Sequence, residues 1–378
     1  MKFLFVNTHF LPDRHYGGVV ESGSRLFFCL RKMGDFRLAT VSANPGRVLK
    51  TAGPGSRCYK SYLFHRFAFS SSAVIGLWRD VREADAVYVN GIFTWPVTLA
   101  QLYCVALGRP FIAAVRGGLR PWALAHRAWK KWLYVRAVTL PLLRRAAFVL
   151  VTSEQERDEI SKLGFRKAVL IKNGADCSAP PGPSECAALP ENWNGRFVFL
   201  FMGRTDREKG LDILVSAYSK FRSEFGREKN LLSVVGPDTR GYFRSLGLDL
   251  EAEGIERVPG SYGPEKSAML SSAGAVILPS YTENFGNVVA EALACETPVI
   301  TTTGTPWAEI EKVGCGLYVK PEAEALYQAM RAMYLKTPEE RREMGRRGRE
   351  YVLKNFNWED KARELFEHLK KLVPAEKL

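Results

Sequence analysis

Short apolar runs alternate with longer amphipathic stretches along the whole chain. In the first half the runs are Phe3–Asn7, Leu38–Ser42, Ala86–Asn90, Phe111–Val115, Phe148–Thr152 and Val169–Ile171. Each reads as a strand covered on both faces, because it is short and apolar almost throughout. Helical spacing predicts helices over Val20–Lys32, Pro96–Leu107 and Ser153–Leu163 between them. Ser153 with Glu156 three positions on has capping-box spacing, although Thr152 is an equally good cap.

A segment rich in Pro, Gly, Ser and Ala, including Pro180-Pro181-Gly182-Pro183, then breaks the pattern and is expected to be a linker over 179–194. The alternation restarts at Phe197–Met202. Further strands are expected at Leu231–Val235, Ile255–Val258, Ala275–Leu278 and Val299–Thr302. Helices are expected at Leu211–Phe225, Tyr242–Ala252, Glu265–Ser272, from Asn287, at Glu322–Leu335 and Pro338–Asn355, and from about Trp358. At 378 residues the chain is long for one core. The fold class expected is therefore α/β: two doubly wound, Rossmann-like domains, 1–178 and 195–357, facing each other across a cleft.

The 46% hydrophobic and 12% aromatic content suits an ordinary globular protein. No apolar stretch approaches the roughly 20 residues that span a bilayer. The first residues are too soon polar for a secretory signal and read as a strand. Seven cysteines (29, 58, 104, 177, 186, 295, 315) lie scattered without Cys-x-x-Cys. That argues against a disulfide framework or zinc site and for a reducing cytosol. The five histidines (9, 15, 65, 126, 368) have no ligand-like spacing, so no metal is expected.

The net charge of +14 is uneven. Met1 to Glu185 holds 27 lysines and arginines against 12 acids, and the remainder 27 against 28. Such a field either attracts anionic partners, acidic lipid headgroups or lipid diphosphates among them, or is simply a solvated basic surface. Trp129-Lys130-Lys131-Trp132-Leu133-Tyr134-Val135-Arg136, continuing to Arg144-Arg145, poses the same alternative. The helix either rests on an anionic membrane surface or packs Trp132 and Leu133 into the core. Nucleic-acid binding finds no recognised module here.

The most informative stretch runs from Pro279 to Ala294 (PSYTENFGNVVAEALA). A buried strand ends at Pro279-Ser280, a loop turns, and a helix starts near Asn287, aiming its free N–H groups at whatever lies over the strand's carboxyl end. Glu283 on the loop and Glu291 one turn into the helix can face the same seat. Carboxylates repel phosphate, so their expected partners are hydroxyl groups. A diphosphate flanked by hydroxylated sugars is a sugar nucleotide. Arg204 and Lys209, in Gly203-Arg204-Thr205-Asp206-Arg207-Glu208-Lys209-Gly210, end the second half's first strand, where they can clamp a diphosphate. Tyr16-Gly17-Gly18 lets backbone approach a ligand closely, and no GxGxxG is present.

Glu-x7-Glu around Phe-Gly resembles the signature of the retaining, GT-B-fold glycosyltransferases of family 4, also called group 1. Gly-Arg-x4-Lys-Gly, the Gly17-Gly18 loop and Asn173-Gly174-Ala175-Asp176 match the family's other elements in order, so the resemblance spans nearly the whole chain. It implies that Glu291 holds the nucleotide's ribose and Glu283 the departing sugar. Arg204, Lys209 and the amides of Phe285, Gly286 and Asn287 would stabilise the leaving diphosphate. Gly17, Gly18, Gly203, Gly260 and Asn284 would complete the donor site. Gly260-Ser261-Tyr262 falls where family members contact the base, and a last helix from about 358 to 378 would brace the first domain.

Two departures stand out. Arg116-Gly117 replaces the family's usual His, and an arginine stabilises negative charge but cannot accept a proton. Asn284 and Glu296 stand where glycines are common. Asn90-Gly91 either lines the acceptor side or is a structural turn. The resemblance implies no metal and no cofactor beyond a UDP-, GDP- or other NDP-sugar. It also implies same-face attack assisted by the donor's phosphate, and a place in surface polysaccharide or lipopolysaccharide assembly at the cytoplasmic side of the membrane. A catalytically inactive relative binding anions or membranes is the alternative. The Glu283/Glu291 pair beside a phosphate seat argues against a glycosidase.

Overall fold

The computed structural model describes residues 1–13, 17–62, 67–125, 128–165, 167–175, 189–226, 228–238 and 241–374. His15, Tyr16, His65, His126, Asp176, Cys177, Cys186 and the expected linker as far as 188 lie outside them, as does the side chain of Lys130. The chain forms two compact units: Met1–Gly174 with Trp358–Leu378, and Ala175–Asn357.

The first unit runs β1 (Lys2–Asn7), α1 (Gly18–Arg31), β2 (Asp35–Ser42), α2 (Pro45–Ala52), β3 (Arg57–Lys60), α3 (Ser72–Glu83), β4 (Ala86–Asn90) and α4 (Trp95–Ala106). It continues with β5 (Phe111–Ala114), α5 (Pro121–Ala125), α6 (Ala128–Tyr134), a π-helical turn (Val135–Thr139), α7 (Leu140–Leu143), β6 (Phe148–Val151), α8 (Glu154–Lys162) and β7 (Ala168–Leu170). The strands are all parallel, in the order β3-β2-β1-β4-β5-β6-β7. Chain direction across the sheet reverses between β1 and β4, the switch point of a doubly wound fold. β3 escapes the sequence pattern because Arg57-Cys58-Tyr59-Lys60 is short and forms a sheet edge, where polar side chains are tolerated.

One core cluster lies under α3, α4, α7 and α8, and another under α1, α2 and the final helix Trp358–Lys370. That final helix buries Ala362, Leu365 and Leu369 in the second cluster, with the Phe366 ring edge-on to Phe3 at 5.6 Å. Trp132 and Leu133 do not enter either core. Each is 57% exposed, which corrects the packed alternative for this helix. At α8, Ser153 caps as expected, accepting from the Glu156 amide at 3.1 Å. The Glu156 carboxylate instead turns inward to accept from Thr152 N (2.7 Å) and Gly117 N, and its burial pushes that carboxyl above its ordinary range.

The second unit opens with Glu191–Trp193, a 3₁₀ turn within the expected linker. Its Trp193 is buried and donates from Nε1 to Glu256 at 2.7 Å. Then follow β8 (Phe197–Met202), α9 (Leu211–Phe225), β9 (Asn230–Val235), α10 (Tyr242–Ser245), α11 (Leu250–Glu253), β10 (Ile255–Val258) and α12 (Pro264–Ser272). β11 (Ala275–Leu278), α13 (Asn287–Ala294), β12 (Val299–Thr302), α14 (Glu309–Val313), β13 (Gly316–Val319), α15 (Ala323–Leu335) and α16 (Pro338–Asn355) complete it. The sheet is again all parallel, in the order β10-β9-β8-β11-β12-β13. The single helix expected over Tyr242–Ala252 is two, divided at Gly247, whose φ of 65° is left-handed.

Glu296 finds its physical account here. It follows the last turn of α13 with φ 61°, the left-handed conformation that commonly ends a helix and that glycine adopts freely. Asn284 has no positive φ and needs no glycine.

Candidate functional site

The second unit's switch point lies between β8 and β11, which are hydrogen-bonded neighbours. Chains leaving them diverge, so the loops after these two strands flank a crevice at the sheet's carboxyl edge. Gly203 opens the first loop. Gly236, at the end of β9, comes so close that a Cβ there would collide with the Gly203 carbonyl. Arg204 follows, its Nη1 2.9 Å from Asp206 Oδ2, with Asp206 1% exposed. Arg207–Lys209 makes a 3₁₀ turn ending at Gly210, whose left-handed φ of 67° sets the start of α9 against the Pro279 carbonyl.

The second loop is tied to the first and to its own neighbours. Tyr281 N–H donates to Glu208 O at 2.9 Å, and its hydroxyl donates to Asp212 Oδ2 at 2.8 Å. Burial, with that carboxylate, pushes the Tyr281 phenol up to about 12, so it remains a donor at neutral pH. Glu283 N–H donates to Gly304 O at 2.8 Å, and Glu283 Oε1 accepts from Asn284 N at 3.2 Å. Phe285 is buried against Trp307, ring centroids 5.2 Å apart, and Trp307 Nε1 donates to the Phe285 carbonyl. Gly286, φ 79°, then begins α13 without a side-chain cap. Glycine itself offers the helix start no capping side chain, and the dipole favours an anion there.

These ties bring Lys209 and Glu283 into direct contact: the ammonium of one loop forms an ion pair with the carboxylate of the other, each side chain 15% exposed. Arg204 shares the first loop but is paired with Asp206. Glu291, one turn into α13, pairs at 2.7 Å with Lys266 of α12 rather than with the Lys209/Glu283 pair. Gly260 stands between β10 and α12, with Ser261 buried and Tyr262 45% exposed beside it.

In the first unit, Gly17 has φ 87° and immediately precedes α1, which Gly18 opens. Arg116 has φ 50° and follows β5. Its Nε donates to Asn90 Oδ1 at 2.6 Å, Nη1 to Asn173 Oδ1 at 2.5 Å and Nη2 to the Tyr88 hydroxyl at 3.0 Å. All three acceptors are neutral and orient the guanidinium, while the buried Glu156 carboxylate, bonded to the next residue's amide, lies within reach of its charge. Asn90 therefore has a definite place: it ends β4, accepts from Arg116 and donates to Asn7 at 3.0 Å.

Sequence reasoning passed over Asp206, Lys266, Tyr281, Asp212 and Trp307. Lys266 had one local signal, since Gly263-Pro264-Glu265-Lys266 is a helix start with proline in its first turn. The others are recognisable only by what they touch.

The sequence profile of glycosyl transferases group 1 matches residues 190–351, and that of the glycosyl transferase 4-like domain matches residues 21–174. The chain is 26% identical over 394 residues to the alpha-maltose-1-phosphate synthase of Mycolicibacterium smegmatis, covering 97% of this chain and 98% of that protein. To the D-inositol 3-phosphate glycosyltransferase of an Arthrobacter species it is 34% identical over 115 residues, 29% of this chain and 27% of that one. The crystal structure of Anabaena HepE, in complex with UDP and glucose, superposes with a TM-score of 0.79 at 17% identity, covering 98% of this chain and all of HepE. WaaG, a glycosyltransferase involved in lipopolysaccharide biosynthesis, superposes with a TM-score of 0.69 at 17% identity over 96% of this chain and 99% of its own.

Proposed function

Because the chain belongs to the group 1 glycosyltransferases of GT-B fold, we propose that it moves a sugar, with retention at the anomeric carbon and without a metal ion, from a nucleoside diphosphate donor to an acceptor hydroxyl. One observation carries the assignment of the site: Lys209 and Glu283 meet beside the start of α13 at the second unit's switch point. A cation and helix amides suit the diphosphate, and a carboxylate suits the hydroxyls of the sugar.

In the reaction, the anomeric carbon–oxygen bond to the diphosphate breaks while the acceptor oxygen bonds to the same face. The acceptor's proton passes to a phosphate oxygen, so no protein nucleophile is required. Negative charge grows on the leaving diphosphate, where Arg204, Lys209 and the amides of Phe285, Gly286 and Asn287 would stabilise it by several kcal/mol. Glu291 holds the ribose, Glu283 the sugar, and Gly17, Gly18, Gly203, Gly260 and Asn284 complete the donor site. We assign Arg116 a share of the leaving phosphate's charge, since its three hydrogen-bond acceptors are neutral groups that orient it.

HepE was crystallised with UDP-glucose, which makes a UDP-hexose the first donor to assay. The acceptor is read as a lipid-linked glycan at the cytoplasmic face of a membrane, in surface polysaccharide or lipopolysaccharide assembly. Donor turnover by the purified protein with UDP-, GDP- and ADP-sugars, with and without a chelator, tests the reading. Retained anomeric configuration and chelator-insensitive turnover are expected. Donor binding without turnover of any sugar would favour the inactive-relative reading, whose motive is Arg116 in place of His.

A further inference from the structure

The first unit has one face unlike the rest of the chain. Fourteen large apolar side chains are exposed among the described residues, and eight of them stand on three helices, α3, α4 and α6. Val74, Ile75 and Trp78 stand on α3, with Ile75 64% exposed; Leu102 and Val105 stand on α4. Trp129, Trp132 and Leu133 stand on α6. The helices adjoin one another. Tyr103 of α4 donates to the Val74 carbonyl at 2.9 Å, and its ring meets Trp78 edge-on at 5.1 Å. Thr98 of α4 and Tyr134 of α6 share a hydrogen bond of 2.7 Å.

Cations dominate the exposed charge on this face. From Ala86 to Ser153 the sequence contains no acidic residue and nine lysines and arginines, of which Arg116 and Arg120 turn inward. The acids on α3 and beside the face are engaged: Asp80 is buried against Arg57, Glu83 pairs with Arg37 at 3.0 Å, Asp85 accepts from Lys2 N at 2.9 Å, and Glu154 pairs with Arg157. Arg79 and Arg82 stand exposed on α3, Arg144 is exposed after α7, and the exposed Arg136 lies over the Trp132 ring at 4.9 Å.

We propose that the α3–α4–α6 face is a docking surface for an anionic lipid bilayer, with its aromatic and aliphatic side chains in the interface and its cations at headgroup level. The charge selects this occupant over a second copy of the chain, because a two-fold contact would set cation against cation. The proposal deepens the reading of a lipid-linked acceptor and rests on it for its purpose. The surface itself is a property of the first unit, apart from the donor site of the second. It extends well beyond the helix that the sequence pattern singled out, since α3 and α4 supply five of its eight apolar groups.

The test is cosedimentation of the full chain with phosphatidylcholine vesicles and with vesicles containing phosphatidylglycerol, at low and high salt. Binding to the anionic vesicles only, weakened by salt, is expected. Ile75→Glu with Leu102→Glu, both at exposed positions, should lower the partition coefficient at least about tenfold, as should Trp129→Glu with Trp132→Glu. Arg79→Gln with Arg82→Gln should lower it by about fivefold per cation. Equal binding to neutral vesicles would overturn the proposal, as would indifference to the α3–α4 pair. So would a dimer in sedimentation velocity that the same pair dissolves. Donor hydrolysis in detergent should be unchanged in all these variants. Vesicle binding by a chain that turns over no donor would refute the catalytic reading alone, and turnover without vesicle binding the docking surface alone.

Discussion

Replacing Glu283 with glutamine tests the site at its centre. The change keeps shape and an acceptor for the Asn284 amide, and removes only the charge facing Lys209. Both side chains are 15% exposed, so the ammonium is left largely desolvated without a counter-charge. Breaking a fully buried pair costs about 3–5 kcal/mol, and partial access to water reduces this to about 1–3 kcal/mol. For melting of the second unit, Ala175–Asn357, that is a fall in Tm of about 2–12 °C. The catalytic loss should be separate and larger. If Glu283 holds hydroxyls of the departing sugar, losing a charge-assisted hydrogen bond in the transition state lowers kcat by about 10²–10³. Lys209→Met with Glu283→Gln distinguishes the two effects. Removing both charges should recover part of the lost stability while turnover remains at the level of the worse single variant. Nucleoside diphosphate release and thermal melting report the two quantities. A Glu283→Gln protein with native turnover would refute the assignment, and so would a double variant that recovers turnover together with stability.

Other positions make independent tests. Tyr281→Phe removes the hydroxyl bond to Asp212 that ties the second loop to the start of α9; it should cost about 1 kcal/mol of stability and lower kcat, with a smaller effect on donor KM. Lys266→Met frees Glu291 from its partner; if Glu291 holds the ribose, donor KM should rise several-fold with kcat nearly unchanged, and Lys266→Arg should restore it. Glu296→Gly should be neutral or slightly stabilising, whereas Glu296→Val should lose about 1–2 kcal/mol, because a β-branched residue fits the left-handed region poorly. Asp80 accepts from the Tyr59 hydroxyl and pairs with Arg57 at 2.8 Å, and burial holds its carboxyl above the ordinary value. The folded state thus binds this proton more tightly than the unfolded state. The stability it adds is complete below the unfolded value near 3.8 and is lost as pH rises through the folded one. Asp80→Asn should therefore destabilise the protein more in acid than at neutral pH, measured by urea unfolding; a penalty independent of pH would refute this.

Much of the architecture was legible in the chain itself. Buried parallel strands are contiguous apolar runs, so each announces itself locally, and the loop from Pro279 to Gly286 announces both its strand and its helix. What eluded the pattern was mostly short, such as α2, β3 and β13, or divided by one glycine, as at Gly247; α3, twelve residues long, also went unseen. Lys209 and Glu283 were named as separate ligands of one donor, without any means of seeing that they touch. Residues 74 positions apart meet only because β8 and β11 are neighbours in a sheet, and sheet order is not written in any local window.

The same division holds for the whole molecule. Sequence alone determined most strands and longer helices and where the loops after β8 and β11 lie, because backbone preference and hydrophobic period act over a few residues. Tertiary structure decided who partners whom: Lys266 with Glu291, Tyr281 with Asp212, Arg116 with Asn90 and Asn173. It also decided that Trp132 and Leu133 face outward, as Ile75 and Leu102 do. Whether an apolar side chain is core or surface depends on what packs over it, and that neighbour comes from elsewhere in the chain.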